Sequence, residues 1–495
     1  MTVHDKTAGR RVLDLKDPSL LTDKAYVAGE WIDAPDGRTI AVTDPFDGAL
    51  LATVPDLGPD VARRAIDAAH AAQKEWAKRP VKERSQILRR WYELILANVD
   101  DLALILTSEQ GKPLAEARAE IVSNAAYLEW FAEEAKRING DIIPAARPDQ
   151  RIVVLKQPVG VCAAITPWNF PNGMITRKVG PALAAGCTMV LKPAAQTPLS
   201  AFALAVLAER AGVPKGAFSV ITGDARPIGE EFCHNPKVAK ITFTGSTAVG
   251  KYLLEQSAKQ VKKVSLELGG HAPFIVTQSA DLDLAVGQLI APKFRNAGQT
   301  CMCPNRVFVH ESVKEEFVRR LVEAVKKLKV GNGLEEGVQI GPLINQAAVD
   351  KVQRHLQDAL GHGAKLEFQQ ERVQGSGYFV SPAVLSDVHE EMLCMREETF
   401  GPIVPVASFR TTEEVIRRAN DSRYGLAAYV FSQDLKESFE ICEGLEYGIV
   451  GLNDGLPATA QAPFGGMKES GIGREGGHWG LEEFLEVKYV SMNLG

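Results

Sequence analysis

Apolar positions along this chain follow two alternating spacings, and this pattern predicts the fold class. Short continuous apolar runs predict strands over residues 160–166, 188–192, 218–222 and 239–243. Apolar residues at helical spacing predict helices over residues 173–185, 198–211, 226–234 and 246–260. Strands that alternate with helices form a parallel sheet covered by helices on both faces. We therefore predict an α/β fold, with a second α/β section from about residue 268 to 460.

The residues before this section combine short strands with long helices. Two β-like runs, 26–32 and 38–43, flank Asp36-Gly37, a dipeptide typical of hairpin turns. We therefore expect these two runs to pair with each other. Helical spacing then predicts a long helix over about 114–138, which we interpret as scaffold.

Bulk properties limit the classes of function. A chain of 495 residues is too long for one hydrophobic core, so we expect two or three domains. A net charge of −6 gives no basic footprint for nucleic acid. No apolar run approaches the roughly 20 residues that a membrane span needs, and no signal peptide is visible. We therefore expect neither a nucleic-acid nor a membrane partner.

Cysteine usage indicates a reducing compartment. The seven cysteines are an odd number, and no pair shows zinc-ligand spacing together with a second pair or with histidines. We therefore expect reduced thiols, a cytoplasmic location and no bound metal.

One cysteine lies in a setting that suits nucleophilic catalysis. Cys301 ends a turn within residues 293–306, three positions after Gly298. Cysteine attacks a carbonyl carbon as a thiolate, and the glycine lets the backbone approach closely and leaves the Cys301 N–H facing a substrate oxygen. A buried, inert thiol is the commoner state of a cysteine, so this stretch needs support from the rest of the chain.

Two strand ends carry candidate binding groups. Thr166-Pro167-Trp168-Asn169 follows a strand, and its rigid amide is suited to hold an oxyanion, unless Asn169 merely caps the next helix. Lys192 ends the strand 188–192, where a nucleotide ribose usually lies in such sheets, unless it is an ordinary strand-end lysine that extends to solvent.

A glycine turn at Gly245-Ser246 joins a strand to a helix start. Such a turn directs N–H groups and the positive helix end at an anion, commonly a dinucleotide pyrophosphate. The stretch nearly matches a magnesium-dependent phosphate loop, but Tyr252 replaces the Ser or Thr that would hold the ion. A phosphate-loop hydrolase is therefore a remote alternative, and a plain tight turn is another.

Two carboxylates precede turns. Glu267 stands before Gly269-Gly270, and a partly buried glutamate has a raised pKa and takes a proton from water. Glu398 with Phe400 could hold a ribose diol and pack on a flat cofactor. A salt-bridged strand glutamate and an ordinary acidic loop are the respective alternatives.

Taken together and in order, these motifs resemble the aldehyde dehydrogenase superfamily over about residues 25–490. Three stretches resemble its succinate-semialdehyde dehydrogenase branch: 174–187, 293–306 and 471–476. The resemblance implies a Rossmann-like NAD(P)-binding domain, an α/β catalytic domain and a small β oligomerisation arm. The NAD(P)-binding domain would comprise residues 1–140 and 158–267, and the catalytic domain residues 268–483. The oligomerisation arm would comprise residues 141–157 and 484–495. It also implies a homodimer or homotetramer, with the arm paired across subunits.

The resemblance also implies a role for each site residue. Cys301 would be the nucleophile, Glu267 the general base, and Asn169 an oxyanion donor. Cofactor contacts would come from Thr166, Pro167, Trp168, Lys192, Ala195, Gly245, Ser246, Leu268, Glu398 and Phe400. The reaction implied is oxidation of an aldehyde through a thiohemiacetal and a thioester on Cys301.

The resemblance further implies the substrate. In this branch, the arginines that match Arg177 and Arg295 bind a distal carboxylate, which suggests succinate semialdehyde. A serine of the branch is replaced here by Ala458, and Thr459 could substitute for it. Glutarate semialdehyde or 2-oxoglutarate semialdehyde is therefore the alternative substrate.

Cofactor preference and redox control are also suggested by the resemblance. NAD-preferring relatives often have a glutamate where this chain has Ala195, which would not repel a 2′-phosphate, so we expect NADP slightly more than NAD. Some members form a reversible disulfide between the cysteines that match Cys301 and Cys303. A Cys301–Cys303 oxidation switch is therefore a hypothesis, with a bystander thiol as its alternative.

Overall fold

The computed structural model describes residues 3–4, 10–371, 373, 375 and 377–495. Its α-helices are α1 Pro59–Lys78, α2 Val81–Ala97, α3 Val99–Gln110, α4 Leu114–Glu134, α5 Gly173–Ala185, α6 Leu199–Ala211, α7 Ala225–His234, α8 Thr247–Ala258, α9 Leu282–Phe294, α10 Lys314–Val325, α11 Gln346–Gly361, α12 Leu393–Arg396, α13 Thr412–Asn420, α14 Leu435–Gly444 and α15 Gly477–Glu482. Short 3-10 helices cover Pro18–Leu20, Ala135–Arg137 and Arg295–Gly298.

The strands of the described residues are β1 Val3–His4, β2 Arg11–Val12, β3 Ala25–Val27, β4 Glu30–Ile32, β5 Thr39–Thr43, β6 Leu50–Pro55, β7 Asp141–Ile143, β8 Gln150–Pro158, β9 Val161–Ile165, β10 Thr188–Lys192, β11 Phe218–Val220, β12 Val238–Thr244, β13 Lys263–Glu267, β14 Ala272–Val276, β15 Pro304–His310, β16 Lys365–Gln369, β17 Ala383–Ser386, β18 Ile403–Phe409, β19 Tyr424–Gly425, β20 Ala427–Phe431, β21 Ile449–Leu452, β22 Met467–Lys468, β23 Gly471–Ile472 and β24 Leu485–Asn493.

The first large sheet has the strand order β23-β13-β12-β9-β10-β11-β3-β4. The five central strands run parallel, and β23 and β3 join their two edges antiparallel. The strands predicted over 160–166, 188–192, 218–222 and 239–243 are four of these five. The predicted α/β class is confirmed, because helices α5 to α8 connect the parallel strands as the spacing indicated.

The second large sheet has the order β16-β17-β18-β15-β14-β20-β21 and is parallel except for the edge strand β16. Each sheet has its own cluster of buried apolar side chains. One cluster runs from Leu13 to Leu268 and adds a few residues near the C-terminus, and the other spans Ala272 to Phe464. The chain crosses from one cluster to the other in the short connection between β13 and β14, so residues of this connection lie between the two sheets.

A third, three-stranded sheet has the order β24-β8-β7 and is antiparallel. Nine residues of β24 pair with nine of β8, from Leu485 with Pro158 to Asn493 with Gln150. Several apolar side chains on it are exposed, including Ile142 at 83%, Val487 at 68% and Tyr489 at 58%. This sheet combines the two segments, 141–157 and 484–495, from which we predict an arm.

The expected pairing of runs 26–32 and 38–43 is wrong. The first run folds on itself, since β3 pairs with β4 across Ala28-Gly29. Both turn residues have positive φ (56° and 83°), which is the geometry of a two-residue hairpin turn. The second run, β5, pairs instead with β6. The sequence-based prediction failed because alanine seldom occupies such a turn. Asp36-Gly37 instead belongs to a short loop in which the Gly37 N–H donates to the carbonyl oxygen of Ala34.

Candidate active site

Two adjoining cavities share the side chain of Cys301. The first has a volume of about 360 Å³, and its lining includes Asn124, Tyr127, Arg177, Arg295, Ala458, Thr459 and Phe464. The second has a volume of about 350 Å³, and its lining includes Pro167, Trp168, Asn169, Gly245, Ser246, Leu268, Lys351, Glu398 and Phe400. Phe170 and Met174 also line both cavities. One thiol therefore faces two separate binding spaces.

The turn that leads to Cys301 has a strained backbone. Asn296, Ala297 and Gly298 have φ values of 51°, 56° and 79°, in the left-handed region that favours glycine. A Cβ at Gly298 would overlap the backbone of Gly401. Gly298 thus allows the close backbone approach that the sequence predicts, whereas nothing in the sequence indicates the strain at the two preceding residues.

Hydrogen bonds from three elements hold this turn. The Asn296 N–H donates to Glu116 Oε2 (2.7 Å), and the side chain of Gln110 donates to Asn296 Oδ1 (2.8 Å). Asn296 Nδ2 donates in turn to the carbonyl oxygen of Asn169 (2.9 Å). The strained turn is therefore tied to α3, to α4 and to the loop after β9.

Asn169 is buried, and its amide is fixed beside the thiol. Nδ2 donates to the carbonyl oxygen of Gln299 (3.1 Å), and one further amide hydrogen remains for another acceptor. The backbone carbonyl of Asn169 accepts from Lys112 Nζ (2.8 Å). The alternative role as a helix cap does not hold, because Asn172 occupies the position before α5. A rigid amide beside a nucleophile is suited to stabilise an oxyanion.

The surroundings of Cys301 keep its thiol protonated. Removal from water raises the pKa of the Cys301 thiol to about 12, and the carboxylates of Glu398 and Glu267 act in the same direction. The positive charge of Arg177 acts in the opposite direction. Because only the thiolate attacks a carbonyl carbon, the reaction at this site needs a proton acceptor.

Glu267 is the last residue of β13 and is 4% exposed. Burial raises the pKa of Glu267 well above its usual range, and the carboxylate of Glu475 adds to this effect. Its Oε2 has no hydrogen-bond partner, and Glu267 forms no ion pair within the described residues. A salt-bridged strand glutamate is therefore not what the structure shows. A carboxyl group with a raised pKa is suited to take a proton near neutral pH.

The second cavity has a helix start, free hydroxyl groups and aromatic rings of the kinds that suit a dinucleotide. The hydroxyl of Ser246 accepts from the Val249 N–H and begins α8, whose first turn therefore points its N–H groups toward the cavity. The buried hydroxyl groups of Thr166 and Thr244 have no hydrogen-bond partner among the residues that the structure describes. Trp168 and Phe400 pack edge to face with ring centroids 5.7 Å apart, and Phe400 has an unusual φ of 59°. These residues would hold NAD or NADP.

Glu398 connects the cofactor cavity to the turn after Glu267. The N–H of Gly270 donates to Glu398 Oε1 (3.0 Å), and a Cβ at Gly270 would overlap the carbonyl oxygen of Cys301. Burial raises the pKa of Glu398 to about 7, against the effect of that hydrogen bond and of the nearby Lys351. The carboxylate is thus positioned to accept hydrogen bonds from a ribose diol.

Lys192 and Ala195 lie outside the lining of the second cavity. Lys192 ends β10, and its Nζ donates to the carbonyl oxygen of Pro193 (3.0 Å). Burial lowers the pKa of Lys192 to about 8, while the Asp224 carboxylate acts to raise it. Lys192 is buried, so it is not a strand-end lysine that extends to solvent.

The first cavity contains the predicted substrate arginines. Arg177 is 8% exposed, and its Nη1 is buried with no hydrogen-bond partner in the described part of the chain. Arg295 stacks over the ring of Phe170, 5.0 Å from its centroid, and forms no ion pair within the described residues. Thr459 also lines the cavity, and its hydroxyl contacts the side chain of Gln461. Two cations without counter-ions therefore face a cavity that ends at Cys301.

Cys303 points away from both cavities. It is buried, and its sulfur lies 3.5 Å from the Nζ of Lys293. Burial raises the pKa of the Cys303 thiol, and the lysine acts in the opposite direction. Both Cys301 and Cys303 are free thiols.

Some functional neighbours were not found from the sequence. Lys178 pairs with Glu475 across 297 positions (2.5 Å) in the protein interior, next to Glu267. Asn124 contacts Arg177, and Glu116 holds the turn before the nucleophile. All four lie on helices or loops whose local patterns are those of scaffold, so no local signal distinguishes them.

Neither a membrane segment nor a metal cluster stands out. No helix in the described part of the chain is long and apolar enough to cross a membrane. Among the same residues, His, Cys, Asp and Glu side chains form no group of three or more that could hold a metal ion.

Comparison with known proteins places this arrangement in a family. A sequence profile of the aldehyde dehydrogenase family matches residues 31–490. The glutarate-semialdehyde dehydrogenase of Pseudomonas putida is 54% identical over 482 residues, which cover 97% of this chain and 100% of the relative. The succinate-semialdehyde dehydrogenase GabD of Escherichia coli, whose name specifies NADP(+), has the same identity and coverage.

A solved structure supports the same placement. The crystal structure of a succinate-semialdehyde dehydrogenase from Burkholderia pseudomallei superposes with a TM-score of 0.96 at 55% sequence identity. The alignment covers 97% of this chain and 100% of that chain. The similarity therefore extends over the nucleotide site, the thiol and the three-stranded sheet alike.

Proposed function

The chain belongs to the aldehyde dehydrogenase family, and from this premise we propose that it oxidises a semialdehyde that carries a distal carboxylate. It is an NAD(P)-dependent oxidoreductase. The observation that carries the proposal is the buried, unpaired Nη1 of Arg177 in the cavity that ends at Cys301. Guanidinium pairs with a carboxylate through two parallel hydrogen bonds and stays charged, so an anion is the ligand that satisfies it.

The residues of the site perform the acyl chemistry. The Cys301 sulfur attacks the aldehyde carbon after its proton passes to a base, and the side-chain amide of Asn169 with the Cys301 N–H holds the oxyanion. The bound nicotinamide supplies the acceptor for the hydride that the carbon loses. Glu267 then takes a proton from the water that hydrolyses the thioester. The acid leaves, and the thiol is regenerated.

Chain length is the finer part of this proposal. We propose succinate semialdehyde as the substrate, with glutarate semialdehyde or 2-oxoglutarate semialdehyde as the alternative. Ala119, Ser123 and Ala458 contribute only small side chains to a cavity of about 360 Å³, and this room is the reason to keep the longer substrates as the alternative. Arg177 and Arg295 are common to all three proposals, because each substrate carries a carboxylate.

For the cofactor, we propose that NADP is used slightly in preference to NAD. Ala195 places no carboxylate near Lys192, and this supports NADP use in addition to NAD. A phosphate-loop hydrolase is not proposed, because Lys251 pairs with Glu469 (2.6 Å) and the hydroxyl of Tyr252 donates to Glu230 (2.6 Å).

We propose a homodimer or homotetramer whose three-stranded sheets (β7, β8 and β24) pair, supported by their exposed apolar side chains. The domain bounds 1–140 with 158–267, 268–483, and 141–157 with 484–495 remain our division of the chain. A cytoplasmic location and a Cys301–Cys303 oxidation switch also remain predictions.

The direct test is a substrate panel followed by absorbance of the reduced cofactor. Purified enzyme is given succinate semialdehyde, glutarate semialdehyde or uncharged butanal, with NAD and NADP in separate assays. We expect kcat/KM for a carboxylated semialdehyde to exceed that for butanal by about a hundredfold, since a bidentate charged pair contributes a few kcal/mol. Equal kcat/KM values for charged and uncharged aldehydes would remove the carboxylate proposal.

A further inference from the structure

The guanidinium of Arg177 is held by neutral groups alone. The rings of Tyr127 and Phe464 lie against it, with centroids 4.8 and 4.6 Å from its central carbon. Its Nε donates to Asn124 Oδ1 (3.2 Å), whereas its Nη1 has no partner. Within the described residues no carboxylate lies within ion-pair distance of this arginine. Its charge is therefore fixed in direction but not neutralised.

Asn124 is itself held in one orientation. It lies on α4, is 4% exposed, and donates from Nδ2 to the carbonyl oxygen of Glu120 (2.8 Å). Because an amide nitrogen only donates and its oxygen only accepts, this bond leaves Oδ1 to face Arg177. The side chain also packs against Gly173 on α5, where a Cβ would overlap it. The hydrogen bond to Glu120 and the contact with Gly173 together hold the Asn124 side chain in this orientation.

We propose that Asn124 is a positioning residue that determines selectivity for aldehydes with a distal anionic group, an inference that rests on the proposed function. A neutral acceptor orients the guanidinium without forming an ion pair with it, so the substrate carboxylate can still pair with the charge. A carboxylate at position 124 would pair with Arg177 and compete with the substrate. An apolar side chain would leave a buried N–H without a partner. An amide avoids both effects.

The test compares two variants with a matched control. Asn124→Asp keeps the branched shape and replaces the amide with a carboxylate, and Asn124→Leu keeps the branched shape and removes both polar atoms; each variant also loses the hydrogen bond from Nδ2 to Glu120. Thr176→Val is the control, because the Thr176 hydroxyl donates to the backbone carbonyl of Asn124 (2.9 Å) and does not contact Arg177. This control removes one hydrogen bond between α4 and α5 and leaves the guanidinium alone. Each protein is assayed with succinate semialdehyde and with butanal.

We expect Asn124→Asp to raise KM for succinate semialdehyde by about tenfold or more, with kcat changed less than about threefold. Any loss of thiolate stabilisation by Arg177 should lower kcat for both aldehydes alike. KM for butanal should therefore change less than about twofold, because butanal carries no carboxylate for the arginine to bind. Asn124→Leu should raise the same KM by a smaller factor. Thr176→Val should leave the ratio of the two substrates as in the wild type.

Three results would overturn the inference. If the ratio of KM for succinate semialdehyde to KM for butanal is unchanged in Asn124→Asp, position 124 has no role in selectivity. This variant alone decides the question if Asn124→Leu does not fold. An equal change in Thr176→Val assigns the effect to helix packing. A wild-type enzyme that does not discriminate between the two aldehydes removes the proposed function itself. If the wild type discriminates between the two aldehydes and Asn124→Asp discriminates equally well, only the inference on Asn124 fails and the proposed function stands.

Discussion

At the scale of single residues, the chemistry depends on groups whose charge is shifted by burial. The pKa of the Cys301 thiol is raised to about 12, and that of Glu267 is also raised well above its usual range. A raised pKa lets the Glu267 carboxylate hold the proton that it takes from the hydrolytic water near neutral pH. Arg177 is the cation that favours the thiolate.

Alkylation of Cys301 should be slow and should rise steeply with pH. Because its thiol pKa is about 12, the thiolate fraction grows about tenfold for each pH unit between 7 and 10. Inactivation of the cofactor-free enzyme by iodoacetamide should follow that slope. Arg177→Leu should slow it further, because the favourable charge is lost. A rate that levels off below pH 8 would contradict the raised pKa.

Glu267→Gln should remove a pH dependence that the wild type shows. The raised pKa means that Glu267 is protonated at low pH and becomes a base as the pH increases, so thioester hydrolysis should accelerate with pH. The variant should lose about 10²–10⁴-fold in kcat and show a flat profile over the same range. Steady-state rates between pH 6 and 9 test this. A variant that keeps the rising limb would assign it to another group.

At the scale of elements, the site is formed where the chain crosses from β13 to β14 and where a strained turn precedes the nucleophile. The turn carries three consecutive residues with positive φ and is held by α3, α4 and the loop after β9. Strain of this kind costs on the order of 1–3 kcal/mol per non-glycine residue, so the surrounding hydrogen bonds must hold the turn. This turn is expected to be sensitive to small changes.

Gly298→Ala should destabilise the protein and lower activity. Its φ of 79° and the adjacent backbone of Gly401 leave no room for a Cβ. We expect a loss of about 2 kcal/mol or more in the free energy of unfolding and at least about a tenfold loss in kcat. Gly287→Ala is the control, since this glycine lies in α9 with open space around it and alanine favours a helix. The melting temperatures of both variants test this difference. Equal shifts in melting temperature for Gly298→Ala and Gly287→Ala would contradict it.

The elements were largely predictable, and the exceptions have physical reasons. Strands β9 to β12 were predicted because continuous apolar runs between helices leave few alternatives. The hairpin at Ala28-Gly29 was missed because its left-handed turn uses alanine, and the strain at Ala297 was missed for the same reason. Cys301 stood out by its local setting. Lys178 and Glu475 carry no local signal, because tertiary folding alone brings them together.

At the scale of the whole molecule, the three-stranded sheet β24-β8-β7 stands out from the two larger sheets. Its three strands pair with one another and with no other strand of the described residues. Apolar side chains such as Ile142, Val487 and Tyr489 are exposed on it. Exposed apolar patches of this kind usually mark interfaces. Pairing of two such sheets between subunits would cover them, as the proposed oligomer requires.

Val487→Lys should weaken that assembly. A charged side chain in a buried interface loses hydration without gaining a partner, so the variant should elute at a lower mass than the wild type. Leu435→Lys is the control, because Leu435 is similarly exposed at 72% on α14. Light scattering coupled to size exclusion measures both. A monomeric wild type, or equal dissociation in the control, would contradict this interface.

The central claim is that acyl transfer proceeds through Cys301, and trapping the intermediate tests it most directly. Glu267→Gln enzyme is mixed with succinate semialdehyde and cofactor, quenched in acid, and digested for peptide mass spectrometry. We predict about one equivalent of reduced cofactor per active site and an acyl group on Cys301, located by fragmentation that separates it from Cys303. Reduced cofactor without an acylated Cys301, or equal turnover by Cys301→Ser, would contradict the account.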